Sequence, residues 1–126
     1  MSTHIDDLAS AAVVASGVAP AAQTASLNGS AIDLVSGDGP CFAVQHVGQL
    51  TGSGATLNSW IEESQDGSTS WTAIDGAGFD TVTTSNHVQV IRFTRTARYV
   101  RWAGTITGTT PSVNLAVLIG EGRKTI

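Results

Sequence analysis

The chain of 126 residues is poor in charge, cysteine, proline and long apolar runs, and each shortage removes a class of protein. Only 13% of its residues are charged, and six Lys and Arg stand against ten Asp and Glu for a net charge of −4. Six scattered cations do not build a groove that tracks phosphates, so nucleic acid is not expected as a partner. A single cysteine, Cys41, excludes an internal disulfide and a thiolate metal cage and fits synthesis in a reducing cytoplasm. The longest apolar stretch, residues 11–15, is far shorter than the roughly 20 residues that cross a bilayer as a helix, so no membrane partner is expected either. The start, Met1-Ser2-Thr3-His4-Ile5-Asp6-Asp7, is acidic where a secretory signal is basic, and no leucine-dense segment follows. The mature chain is therefore expected to begin at or near Met1.

Helical runs at 3.6 spacing are missing as well, while Gly (14 residues), Ser, Thr and Val abound, which leaves strands joined by turns. The length suits one domain with one core. Residues 5–15 are weakly patterned, and an arm, a strand or a short helix over residues 6–14 all fit them. Residues 21–27 read as a strand turned by Asn28-Gly29 into a hairpin partner at 31–35. Residues 41–50 form a strand with Phe42, Val44, His46 and Gly48 on one face and Gln45 and Gln49 on the other. After a turn at Thr51-Gly52-Ser53-Gly54 comes a strand over 55–63, with Leu57, Ser59, Ile61 and Glu63 opposite Thr56, Asn58, Trp60 and Glu62. If Leu57 and Ile61 face the core, Trp60 projects outward as a candidate contact residue.

Gln65-Asp66-Gly67-Ser68 predicts a turn in which Asp66 bonds the backbone two residues on and Gly67 takes positive φ. A short strand at 71–74, a loop at 75–78, a brief strand at 82–84, and stronger strands at 88–94 and 98–106 follow. The last, 112–119, alternates strictly through Val113, Leu115, Val117 and Ile119. The fold class expected is all-β, an antiparallel, jelly-roll-like β-sandwich of about 7–8 strands. An extended N-terminal arm (1–12), a sandwich domain (13–120) and a C-terminal tail (121–126) make up the expected organisation.

No catalytic residues emerge, and an enzyme is not expected. His4, His46 and His87 lie in different elements without metal-ligand spacing, and no metal or other cofactor is expected. Glu62 and Glu63 are adjacent, so in a strand they point to opposite faces and cannot act as a carboxylate pair. No G-x-S-x-G elbow marks a nucleophile. Arg98-Tyr99-Val100-Arg101-Trp102 supports two readings. It is either a recognition strip, since arginine and aromatics are enriched where proteins bind partners, or a braced strand with Val100 and Trp102 in the core. Trp60, Trp71, Trp102 and Tyr99 could also offer flat faces to sugar rings.

The ordered set Asn28-Gly29-Ser30, Asp33-Leu34, Val47-Gly48, Ile61-Glu62-Glu63-Ser64-Gln65-Asp66-Gly67-Ser68 with Trp71, and Arg98-Tyr99-Val100-Arg101 resembles a family of small virion proteins of tailed bacteriophages and prophages, encoded among the head genes. The resemblance spans roughly residues 13–120 and departs from the pattern at Trp60 and Trp102. It implies a capsid decoration or cement protein, made in the host bacterial cytoplasm and located on the virion surface. Such a protein binds the major capsid protein and forms a homo-oligomer, with a trimer favoured. The contact residues expected are Ile5, Leu8, Trp60, Glu62, Arg101, Arg123 and Lys124. A carbohydrate-binding or adhesion module displayed on the particle is the alternative.

Overall fold

The computed structural model of the protein describes residues 12–35 and 37–123, and all of its regular structure is β. Seven strands follow in order: β1 (Ala12–Gln23), β2 (Leu27–Asn28), β3 (Ile32–Asp33), β4 (Gly37–Ser64), β5 (Thr72–Gly78), β6 (His87–Phe93) and β7 (Tyr99–Arg123). Every strand pairing is antiparallel. The all-β antiparallel sandwich expected from the alternation is the fold observed. Among the described residues no helix is long and apolar enough to cross a membrane.

The architecture rests on two very long strands, β4 and β7, that run beside each other from one layer into the other. In layer one, the first half of β4 (Cys41 to Val47) lies between β6 and the second half of β7 (Leu115 to Glu121), with β1 on the far edge. In layer two, the second half of β4 (Thr56 to Ser64) pairs with the first half of β7, flanked by β5 on one side and β2 and β3 on the other. Residues 51–54 are thus not the chain-reversing turn expected; they are a corner at which one strand changes layer, marked by three successive register shifts between Val47 and Thr56. The predicted strands at 98–106 and 112–119 likewise join across a corner into one β7. Gly52 and Gly108 make the corner possible. Both have positive φ, 112° and 123°, and a Cβ on either would strike backbone of the facing strand, at Pro111 for Gly52 and at Ala55 for Gly108.

The layers close on a core in which Trp102, Leu57, Ile61, Val47, Val100, Val113, Val117 and Ile119 are all fully buried. Sheet alternation delivers these side chains inward, as expected for the 112–119 run and for Leu57 and Ile61. The Trp102 indole lies over Gly104, where any Cβ would collide with the ring. Its Nε1 donates 2.9 Å to Gln45 Oε1, which also accepts the Ser59 hydroxyl. Gln45 belongs to layer one and Trp102 and Ser59 to layer two, so this buried polar knot ties the layers together.

Other boundaries moved for identifiable reasons. Asn28-Gly29 does not turn a hairpin, because β2 and β3 both pair with β7 and form one interrupted edge segment. Gly29 serves close approach instead: its N–H donates 2.6 Å to Trp102 O, and a Cβ there would run into the Gly17 carbonyl. Residues 75–78, expected as loop, complete β5, with Gly76 at φ 80° giving the strand its irregular path. The strand expected at 82–84 is a single bridge, Leu57 with Val82. Residues 121–123, expected in a tail, end β7. Glu121 is buried and receives Arg95 through both carboxylate oxygens, at 2.6 and 3.0 Å. Arg95 also donates to the carbonyls of Leu34 and Ala97, so one guanidinium fastens three segments at that end of the sandwich. The expected arm lies outside the described residues except for Ala12, which opens β1.

Candidate functional site

Strand alternation sends Trp60 and Glu62 of β4, and Arg101 and Ala103 of β7, to the outer face of layer two, where Trp60 faces Ala103 and Glu62 faces Arg101. Trp60 Nε1 donates 3.0 Å to Glu62 Oε2, and Arg101 Nε donates 2.8 Å to Glu62 Oε1. The Arg101 guanidinium also stacks over the Trp71 ring, 4.3 Å from its centroid. Three of the seven expected contact residues therefore meet in one strip, joined by Trp71. Their polar groups are spent on one another: Glu62 bridges an indole and a guanidinium, so the strip braces β4 against β7. Of the two readings of the 98–102 segment the structure has the braced strand, with Val100 and Trp102 in the core and Arg101 tied to Glu62 of the neighbouring strand. Trp102 is fully buried and offers no face to a ligand. Ile5, Leu8 and Lys124 lie outside the described residues, and Arg123 closes β7.

Next to the strip the chain turns as expected. Asp66 Oδ1 accepts the N–H groups of Ser68 and Thr69 at 3.0 and 2.9 Å, and Gly67 sits at φ 77°. Hydrogen bonds from Thr69 and Ser68 hold the Asp66 carboxyl well below the usual carboxylate range. Asp33 is lowered by its contact with Arg98, whose guanidinium reaches it at 2.6 and 2.8 Å and ties β3 to β7. At the far end, burial and the neighbouring Glu121 carboxylate push the Cys41 thiol up to about 12, so it stays protonated and unreactive at neutral pH. Among the described residues no group of three His, Cys, Asp or Glu side chains could hold a metal ion. His46 and His87 sit on adjacent strands but on opposite faces, because His46 faces Val88 while His87 faces Val47.

The more exposed surface is the outer face of layer one, which sequence reasoning did not single out. Row by row across four strands it carries Val90, Val44, Leu118 and Ser16; then Arg92, Phe42, Gly120 and Val14; and, on three strands, Val88, His46 and Ala116. Val88 and Val90 are 61% and 60% exposed, Val14 is 51% and Leu118 is 46%. The Phe42 ring covers Gly120, filling the row where β7 has no side chain. Arg92 is the one full charge in these rows. Beside them, Pro20, Ala21, Ala22, His46, Gly48, Asn114, Leu115 and Ala116 line a shallow depression of about 320 Å³. The signal was present as Val88-Gln89-Val90 and Phe42-Ala43-Val44. Apolar residues fall on both faces of those strands, however, so alternation alone does not say which face is inside.

No protein-family model matches the chain, and no curated protein is significantly similar to it.

Proposed function

We propose that this protein is a non-catalytic structural component of a tailed-phage virion, a capsid decoration protein that docks on the major capsid protein lattice through the outer face of layer one. The observation that carries the reading is an apolar, almost uncharged sheet face left in solvent by the fold. Four strands about 4.8 Å apart and five to seven residues long span roughly 400 Å². A contiguous patch of that size is on the scale of the largest apolar patch of a typical monomer, which is often a functional one. It is also about half of what one partner buries in a standard stable interface, ~800 Å². A single copy would bind weakly and many copies on a repeating lattice would bind well, which is how a decoration protein works. The resemblance of the ordered motifs to small head-gene virion proteins points the same way.

The test is co-sedimentation of the purified chain with capsids assembled from the major capsid protein of the genome that encodes it. Wild type is expected in the capsid pellet at saturable stoichiometry, whereas Val44→Glu and Leu118→Glu should remain in the supernatant with unchanged circular dichroism. Failure of the wild-type chain to pellet with capsids would overturn the proposal.

One observation favours a second reading, a glycan-binding module. The partly buried Trp60 borders a depression of about 240 Å³ lined by Ser26, Leu27, Asn28, Ala103, Gly104 and Thr105, an aromatic face beside polar groups. Under this reading Trp60→Ala removes glycan-array binding and leaves capsid co-sedimentation intact.

A further inference from the structure

The brace on layer two ends at Trp60, and the rows beyond it are built differently. One row runs across four strands, from Gly78 of β5 through Trp60 of β4 and Ala103 of β7 to Asn28 of β2, each residue opposite the next. Trp60 gives its N–H to Glu62, so the indole is held by its edge while its face stays apolar. Neither neighbour in the row is large enough to cover that face. A Cβ at Gly78 would meet nothing within 4 Å, and Ala103 ends at its methyl group.

The next row lies two residues along each strand, about 7 Å away, and is polar without charge. Asn58 faces Thr105 there. Thr81 donates its hydroxyl 2.5 Å to Asn58 Oδ1, which sets the amide so that Nδ2 is left to donate elsewhere. Ser26 Oγ accepts the Ile106 N–H at 2.9 Å and keeps its own proton to donate. Among the described residues the exposed side chains of Asn28 and Thr105 make no hydrogen bond. Trp60, Ala103, Asn28, Thr105 and Ser26 line one depression of about 240 Å³, and no charged side chain is among its walls. Glu62 and Arg101, in the row before, neutralise each other at 2.8 Å.

The geometry points to a site for one uncharged pyranose ring in this depression, an inference that rests on the glycan-binding reading above and names the class of sugar. A pyranose has an apolar face of C–H groups and a rim of hydroxyls, and the two rows divide in the same way. The C–H face lies on the Trp60 indole, with Ala103 beneath. The rim meets Asn28, whose amide sets a donor and an acceptor side by side as two neighbouring hydroxyls require, and Thr105 and Ser26, whose hydroxyls both donate and accept. Asn58 Nδ2 adds a donor beside Thr105. An acidic sugar would bring its carboxylate to walls that hold no cation and would lose hydration without a counter-charge, so the site selects against it. A copy seated on a surface through the outer face of layer one holds this site outward, on the opposite side of the sandwich.

The experiment is a nuclear magnetic resonance titration of the full, isotope-labelled chain with single sugars. The neutral probes are the methyl pyranosides of glucose, galactose and mannose and N-acetylglucosamine; the acidic probes are glucuronic acid and N-acetylneuraminic acid. One sugar ring on an open surface binds in the millimolar range, so each titration runs to about 50 mM. At least one neutral probe is expected to shift the Trp60 indole N–H and the Asn28 side-chain amide together, and the acidic probes are expected to shift neither. Asn28→Ala and Asn58→Ala, at exposed positions, should each weaken that binding about 5- to 10-fold with an unchanged far-ultraviolet spectrum. Acidic sugars that bind as well as neutral ones, or binding that Trp60→Ala removes but neither asparagine variant weakens, would overturn the inference and leave the glycan-binding reading in place. Silence of both signals with every probe would overturn the two together, and would not touch docking through layer one.

Discussion

The two outer faces of this sandwich are built from the same pair of strands, yet they have opposite characters. On layer two, β4 and β7 present Trp60, Glu62 and Arg101, which satisfy one another and take in Trp71. On layer one the same strands present Phe42, Val44 and Leu118, flanked by Val88 and Val90 of β6 and Val14 of β1, with Arg92 as the one full charge in the rows. The first face has paired its charges internally. The second has apolar area in water. The comparison teaches that an aromatic-arginine strip, which composition marks as recognition, can be a brace, while a plain valine face carries the stronger case for binding.

The comparison can be broken at the core that both faces share. Trp102→Ala removes the largest fully buried side chain and one of the two groups held by Gln45 Oε1. It is expected to cost about 3–5 kcal/mol and to unfold both layers in one transition, measured by urea denaturation. Separate transitions for the two layers would show that the folded-over sheet is not one cooperative unit.

A smaller effect is expected on layer two. Arg101→Ala removes the contact to Glu62 and the stacking on Trp71 and should destabilise by about 1–2 kcal/mol. A double-mutant cycle with Glu62→Ala should return a coupling of about 1 kcal/mol. Zero coupling would remove the bracing role and restore the strip as a candidate contact surface.

The smallest effect belongs to layer one. Val88→Ser replaces an exposed valine and should change stability by no more than about 0.5 kcal/mol, although the same position belongs to the face proposed to bind. A loss as large as that of Arg101→Ala would mean that Val88 is covered in the folded chain, and the contrast between the faces would disappear.

Much of this was legible along the chain. Period-two alternation placed Val113, Leu115, Val117 and Ile119 in the core and Trp60 outside, and turn chemistry placed Asp66 and Gly67 where the structure has them. Other signals were ambiguous for physical reasons. A Gly-x-Gly segment accommodates a chain reversal and a sheet corner equally well, so the continuity of β4 through residues 51–54 could not be read locally. Asn28-Gly29 has the chemistry of a hairpin turn, but its place beside β7 is set by the close approach of Gly17 and the Trp102 carbonyl, which lie far away in sequence. The Arg95–Glu121 fastening joins residues 26 positions apart and has no local signature.

What the sequence determined by itself is local: which segments are extended, which side chains share a face, and that strands without an internal disulfide carry the fold. Which of two apolar faces is buried, which strands lie at an edge, and whether an arginine braces or binds were decided only when β4 and β7 doubled over. Alternation divides side chains into two sets, and only the packing of one layer on the other says which set is removed from water.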